Sequence, residues 1–435
     1  MSHQNPTNVE ADRNRWLIAL SAVAIHLSIG SVYAYSVYQK PLQNLHGWSI
    51  SDVTFAFTVA IFVLGVVAAF LGKAVERYGP RISGLVAAVL FGGGTILAGV
   101  TVQMGSYYGF LATYGVLGGA GLGLGYIAPV STLVSWFPDR RGMATGMAVM
   151  GFGGGALITG PVANYLMTTI NIPTNFYILG VGYFAAMTLG SLYLKKPPSG
   201  WAPAGMDPEE IGDGDSEHGV TVSSDLAQLT AHDALRTPRF WAVWLVMFIN
   251  ISAGIMLLSV ASNMLQDVTG ATAALAASIV GVIGVFNGSG RILWASASDY
   301  LGRTRTYATF FVIQVLAFLS LPMISNVWVF SALMFLVITC YGGGFATLPA
   351  YLGDLFGTKE LGAIHGYALT AWALAGVAGP TLVSQIVSRT GSYQLSFYIV
   401  AGTLVVGLAS TGFLRYRIKS IKTRQSQGAA TASMD

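Results

Sequence analysis

Long apolar stretches, separated by short polar ones, run almost the whole length of the chain. They fall near residues 16–38, 51–72, 82–104, 107–134, 142–167, 175–194, 239–265, 272–297, 304–325, 327–351, 361–388 and 393–415. Each is about as long as a helix must be to cross a bilayer, roughly 20 residues, so the pattern predicts twelve spans. The expected fold class is an all-α polytopic membrane protein, with twelve transmembrane helices in two six-helix, pseudo-symmetric halves. The polar stretch MSHQNPTNVEADRNRW leads into the first apolar run, and no cleavage-site pattern follows that run. Trp16 onward therefore reads as a retained span and not as a signal peptide.

Charge fixes the expected orientation. Of 22 Lys and Arg residues, nineteen fall on the side of the termini, only Lys40 and Arg389 fall on the other side, and Arg291 lies inside a span. Basic residues concentrate on cytoplasmic loops, so both termini are expected in the cytoplasm, with the chain multi-pass in the plasma (inner) membrane. Composition agrees: 54% of residues are hydrophobic and only 9% charged, whereas soluble domains carry ~25% charge. The basic balance comes from these loops and calls for no nucleic-acid partner. The single cysteine, Cys340, excludes an intramolecular disulfide.

The expected organisation is a cytoplasmic tail (1–15), a six-helix half (16–194), a central cytoplasmic loop (195–238), a second six-helix half (239–415) and a cytoplasmic tail (416–435). The loop contains the acidic, Gly-bearing run DPEEIGDGDSEHG, which reads as solvated and flexible. Further on, Leu226, Leu229, His232 and Asp233 stand at helical spacing and predict a short surface helix before Pro238.

The halves echo each other. GKAVERYGPRI after the second span places Glu76, Gly79 and Arg81; ASDYLGRTRT after the eighth places Asp299, Gly302, Arg303 and Arg305. WFPDRRGMATG after the fourth matches LFGTKELGAIHG after the tenth, and both pairs lie about 220 residues apart, as two parallel repeats require. In the acid-x-x-Gly-basic loop, Gly ends the helix while the acid can cap a neighbouring helix or pair with an Arg. Such a loop can serve as a conformational latch between helices; the plainer reading is a positive-inside turn.

Arg291 is the chemical anomaly. It lies seven residues before Ser298, so about 10 Å from the end of its span at the usual helical rise. A guanidinium there must face water, a partner or a ligand, or snorkel to the headgroups. Asn287 is one turn earlier on the same face, and Gly284 and Gly288 keep that face small and open. A guanidinium fork matches a carboxylate, and the Asn amide can add a donor. All 18 acidic residues lie in tails, loops or span ends, with Asp52, Asp267 and Asp354 closest to the membrane. A substrate anion is therefore the economical counter-ion. His26, about ten residues into the first span, is either a proton acceptor or a neutral packing histidine bonded to a backbone carbonyl; His365 is a weaker candidate. The glycines of GGAGLGLGY (Gly118 to Tyr126) sit within a span and suit close helix contact, not a nucleotide loop. The sequence carries no Walker motif, metal-ligand cluster or catalytic triad, so neither an enzyme nor an ATP-driven pump is expected, and no cofactor.

The twelve spans, the central loop and ASDYLGRTRT resemble the major facilitator superfamily. More specifically, LRTPRFWAVW, WFPDRRGMATG and GSGRILWASASDYLGR are similar to the oxalate/formate antiporter family, which includes bacterial lactate and pyruvate carriers. The resemblance implies that Arg291 binds substrate carboxylate, and that Tyr33, Tyr126, Phe152, Tyr341 and Phe345 line a central cavity. Phe152 and Tyr341 are aromatic replacements there. Oxalate carriers place a second cation, a lysine, in the eleventh span, whereas this chain has Trp372 at the matching position. One fixed positive charge balances one carboxylate, so the expectation is a small monocarboxylate of the lactate or pyruvate class, moved with a proton by alternating access. The expected partners are the small organic anion, protons and the lipid bilayer, with no obligate protein partner. Oxalate/formate-type anion exchange is the alternative within the class, and a non-transporting membrane carboxylate sensor the alternative outside it.

Overall fold

The computed structural model describes residues 12–71, 75, 77–137, 141–198, 201, 203, 229–357 and 361–432. Among these the regular structure is helical. Eleven helical stretches are long and apolar enough to cross a membrane. With the 29-residue helix Arg141–Thr169, fifth in chain order, the described residues hold twelve long helical stretches, two sets of six.

Several spans are built from pieces. Span one is Arg15–Ile29, a 3-10 turn at Gly30–Ala34 and a helix Ser36–His46. Span two is Ile50–Phe70 and span three Pro80–Gln103. Span four joins Tyr107–Phe110, a π-helical stretch Leu111–Gly118 and Gly119–Trp136. Span five is Arg141–Thr169 and span six Ile172–Tyr193. Spans seven to ten are Pro238–Thr269, Ala273–Leu301, Arg303–Ser320 and Val327–Phe356. Span eleven is Leu361–Ala368 with Thr370–Thr390, and span twelve is Gln394–Ala432. The last helix thus continues well past residue 415, where the apolar pattern ends, because its polar continuation still carries helix-forming residues such as Arg417, Lys419 and Gln425. The short helix expected before span seven is Ala231–Leu235, capped by the Thr230 side chain.

The halves meet along two seams of small residues, span five against span eight and span two against span eleven. A Cβ on Gly153 would stand 3.1 Å from both the Gly284 carbonyl oxygen and the Gly288 nitrogen, and one on Gly65 would stand 2.8 Å from the Ala373 Cα. Lipid tails are as apolar as Leu, so helices in a membrane gain contact by letting backbones approach, and glycine permits that. Large apolar side chains such as Leu20, Leu189 and Leu316 face outward instead.

Asp12 meets Lys195 at 2.5 Å, bringing the start of span one beside the end of span six. The bond from Lys195 holds the Asp12 carboxyl below its usual range. On this terminal face Gly79 and Gly302 both adopt φ +83°, so the two repeat-related loops turn in the same way at their glycines. On the opposite face a set of polar links joins the halves. Lys40 pairs with Asp267 at 2.7 Å, Gln39 donates to the Ser259 carbonyl at 2.8 Å, and the Ser51 and Ser388 hydroxyls meet at 2.8 Å.

Candidate functional site

The centre of the bundle is built from both halves. Span eight brings Arg291, only 3% exposed, and Asn287, which is fully buried. The Arg291 Nε donates to Asn287 Oδ1 at 3.3 Å, the contact that i,i+4 spacing on one helix face provides. Span ten lies directly against this pair because residue 342 is Gly: a Cβ there would come within 2.7 Å of Asn287 Oδ1 and 3.2 Å of Arg291 Cγ. The guanidinium carbon stands 5.2 Å from the centre of the Phe345 ring, a cation–π contact that strengthens away from water. Burial of the whole side chain shows that it does not snorkel to the surface.

Around the cation stands an aromatic cage. The Tyr33 and Tyr341 hydroxyls meet at 3.0 Å, across the two halves. Arg291 lies near enough to both tyrosines to act on them electrostatically. Phe152 packs edge-on against Tyr33 with ring centres 5.0 Å apart and against Tyr126 at 5.6 Å. Trp372 closes the ring, 4.9 Å from Phe345, 5.6 Å from Tyr126 and 6.4 Å from Phe152. The six cage aromatics come from spans one, four and five of the first half and spans ten and eleven of the second. The 3-10 turn that carries Tyr33 sits where span one presses on span five: a Cβ on Gly155 would come within 2.6 Å of the Ser31 nitrogen.

Electrostatics are incomplete at this centre. Arg291 Nη1 and Asn287 Nδ2 are buried without a hydrogen-bond partner, and so is Trp372 Nε1. Among the described residues no carboxylate pairs with Arg291. The three acids nearest the membrane are engaged elsewhere: Asp52 closes the capping box of span two, Asp267 binds Lys40 and Tyr393, and Asp354 faces Arg303. A buried guanidinium with an unpartnered donor can take up an anion.

His26 lies in the same wall, fully buried. Its ring stacks on Tyr126 at 5.5 Å, and its Nε2 lies 3.1 Å from the Tyr126 carbonyl oxygen, so that nitrogen carries the hydrogen. Phe152 stands beside it, 6.2 Å from ring to ring. His365, half-buried, lies in the first piece of span eleven.

The latch residues lie apart, on the terminal face. Arg303 bonds Asp299 at 2.6 Å, lies 3.7 Å from Asp354 at the end of span ten and donates to the Ser298 hydroxyl. Gly302 provides the turn, and Arg305 is exposed, lining with Arg303 and Arg415 a cavity of about 370 Å³. In the first half, Gly79 makes the equivalent turn and Arg81 is exposed, while Glu76 lies outside the described residues.

Two groups had no role assigned from sequence. Lys40 and Asp267 were read as span-end charges, and only the structure pairs them across the halves. Behind Tyr341 and Phe345, Gln314 donates to Asn250 Oδ1 at 2.7 Å, Asn250 donates to the Cys340 carbonyl at 3.3 Å, and Tyr307 donates to the Gly344 carbonyl at 2.7 Å. These bonds hold the CYGGGF stretch of span ten from the back. The available signal was the pair of amide side chains, Asn250 and Gln314, in the middle of apolar runs.

Comparison with known proteins bears on the family and the fold. A family model described as Major Facilitator Superfamily matches residues 19–380 and 243–433. The chain is 28% identical to the oxalate:formate antiporter of Oxalobacter formigenes over 406 residues, covering 92% of this chain and 91% of that protein. It is 22% identical to apicoplast pyruvate carrier 1 of Toxoplasma gondii, covering 88% and 86% of the two chains. The crystal structure of a bacterial homolog of the human lysosomal transporter Spinster, inward-facing and unoccupied, shares the fold with a TM-score of 0.70 at 14% identity, over 94% of this chain and 98% of that one.

Proposed function

The chain belongs to the Major Facilitator Superfamily, and on that footing we propose that this transporter carries small monocarboxylates of the lactate and pyruvate class together with protons. The observation that carries the reading is Arg291. It is buried where the halves meet, no protein carboxylate answers it among the described residues, and free donors flank it. A single carboxylate supplies one negative charge and up to four acceptor positions, which match a fork and an amide. Tyr33, Tyr126, Phe152, Tyr341, Phe345 and Trp372 give a small, mostly apolar enclosure for a short carbon chain.

Alternating access follows from rocking the half 16–194 against the half 239–415 about this centre. The lock at Lys40 and Asp267 holds one side shut, and the Asp299–Arg303–Asp354 contacts, with Gly79, Arg81 and Glu76 in the first half, act as latches on the other. The excess of Lys and Arg on the terminal face supports cytoplasmic termini in a plasma membrane. For the proton, His26 is the acceptor within the wall, with its Nε2 facing the Tyr126 carbonyl.

Exchange of oxalate for formate is the second reading, favoured by the similarity to the Oxalobacter antiporter. Trp372 weighs against it, because a dianion would bring a second charge to a site with one cation. Uptake of labelled pyruvate and lactate into liposomes containing the purified protein tests the proposal. An inward proton gradient is expected to drive accumulation. Uptake that ignores the gradient overturns symport, and uptake of oxalate in preference to both acids overturns the monocarboxylate reading.

A further inference from the structure

We infer that the indole N–H of Trp372 is itself a substrate ligand, and that it selects 2-oxo monocarboxylates over acids of the same shape with no oxygen beside the carboxylate. The inference rests on the proposed monocarboxylate reading and deepens it. In the mostly apolar enclosure Trp372 would by shape supply only a wall. A wall needs no donor, yet Trp372 is 1% exposed and its Nε1 is buried without a partner. Buried tryptophans usually bond their N–H, because an unpaired donor away from water is costly.

The free polar atoms at this centre are of one kind. Arg291 Nη1, Asn287 Nδ2 and Trp372 Nε1 are all N–H donors. Of the Tyr33 and Tyr341 hydroxyls one donates to the other, which leaves the second O–H as a further donor for the same acceptor. A ligand that completes the set must therefore present acceptors at two places: a charged one for the guanidinium and amide, and a neutral one for the indole. A carboxylate next to a ketone does this without bringing any donor that would need an acceptor in turn. A methyl or methylene in the ketone's place leaves the indole N–H unpaired.

The spacing agrees. Phe345 stands 5.2 Å from the guanidinium carbon and 4.9 Å from the Trp372 ring centre, so it bridges the charged end and the indole. With hydrogen bonds of about 2.9 Å at each end, a three-carbon 2-oxo acid reaches roughly 9 Å from guanidinium carbon to indole ring. Phe345 would then form the side wall along which the short carbon chain lies. Because the indole is neutral, it reads an oxygen without asking for a second negative charge, which a lysine at the same position would attract.

The test compares pyruvate with methacrylate, in which a methylene replaces the ketone oxygen at nearly constant shape. Binding to the purified full-length protein is measured by calorimetry for the wild type, Trp372→Phe and Arg291→Lys. The wild type is expected to bind pyruvate about tenfold tighter than methacrylate. Trp372→Phe keeps the ring and removes the donor, so pyruvate should weaken about tenfold while methacrylate stays within twofold. The wild-type ratio needs no variant, so a misfolded Trp372→Phe leaves the inference open to refutation. Equal wild-type affinity for the two acids, or equal loss of both in Trp372→Phe, overturns it. If Arg291→Lys still abolishes binding in that case, only the role of Trp372 falls. If the wild type binds neither acid, or Arg291→Lys binds both unchanged, the monocarboxylate reading falls with it.

Discussion

The hydroxyl groups of Tyr33 and Tyr341 meet 3.0 Å apart, one contributed by each half of the molecule. One hydroxyl donates to the other, beside a cation that no carboxylate among the described residues pairs with. Tyr33 sits on the 3-10 turn of span one and Tyr341 opens the three-glycine stretch of span ten, so the pair is also a mechanical tie between the halves. A bound carboxylate offers both hydroxyls a stronger, charged acceptor.

This predicts that Tyr33→Phe and Tyr341→Phe each weaken carboxylate binding by about five- to tenfold, the range expected for one hydrogen bond to a charged group. Thermal stability of the unliganded protein should change little, because only a neutral pair is lost. Calorimetric titration of the two variants checks the first point and a melting curve the second. Unchanged affinity in both variants removes the tyrosines from the binding path.

Arg291 should tolerate no replacement. Arg291→Lys keeps the charge but loses the planar fork, the Nε bond to Asn287 and the contact with Phe345. Uptake in liposomes is expected to fall at least tenfold in Arg291→Lys and to reach background in Arg291→Ala. Removing the cation also removes an uncompensated buried charge, so Arg291→Ala should melt no lower than the wild type. A sharply destabilised Arg291→Ala would argue that the residue is a structural partner and not an anion receptor.

The seam between spans five and eight sets how closely the halves can approach. A Cβ added at Gly153 would already stand only 3.1 Å from the Gly284 carbonyl oxygen, closer than ordinary van der Waals contact. Gly153→Val inserts two further methyl groups into that space and overpacking there should cost about 1–3 kcal/mol in this closed arrangement. The seam is expected to open, lowering transport while leaving expression and helix content intact. Circular dichroism and uptake, measured together, separate this from general misfolding.

Much of the scaffold was legible in the sequence because membrane helices advertise themselves: an apolar run of about 20 residues has few other uses. Arg291 stood out for the same reason, as a charge in a place that disfavours charge. The cage was less legible. Phe152 and Trp372 are ordinary apolar residues in their own runs: the family resemblance, not the runs, pointed to Phe152 and Tyr126 as cavity wall, and the packing brings Trp372 against both. The break in span one was invisible, since GSVYA reads as continuous helix and the 3-10 turn arises where span one presses on Gly155. Lys40 and Asp267 are 227 residues apart in the chain, and both look like polar span ends. Their pairing depends on how the halves close, which no local pattern encodes.

That pairing gives the last prediction. Lys40 Nζ lies 2.7 Å from Asp267 Oδ1, and Tyr393 holds the other carboxylate oxygen at 3.1 Å. Lys40 belongs to the first half, whereas Asp267 and Tyr393 belong to the second, so the link must break whenever this face opens. Both charged side chains are partly exposed, at 35% and 43%, so the pair is worth about 0–1 kcal/mol, less in high salt. A change of that size does not unfold the protein, but it shifts a balanced two-state equilibrium up to about fivefold. Lys40→Ala should therefore increase the population open on this face, read as faster labelling of a cysteine placed at Ser259, whose carbonyl now accepts from Gln39. The reversed pair, Lys40→Asp with Asp267→Lys, should restore the wild-type labelling rate. Equal labelling in the wild type, Lys40→Ala and the reversed pair would show that the ion pair rides along with closure and does not hold it.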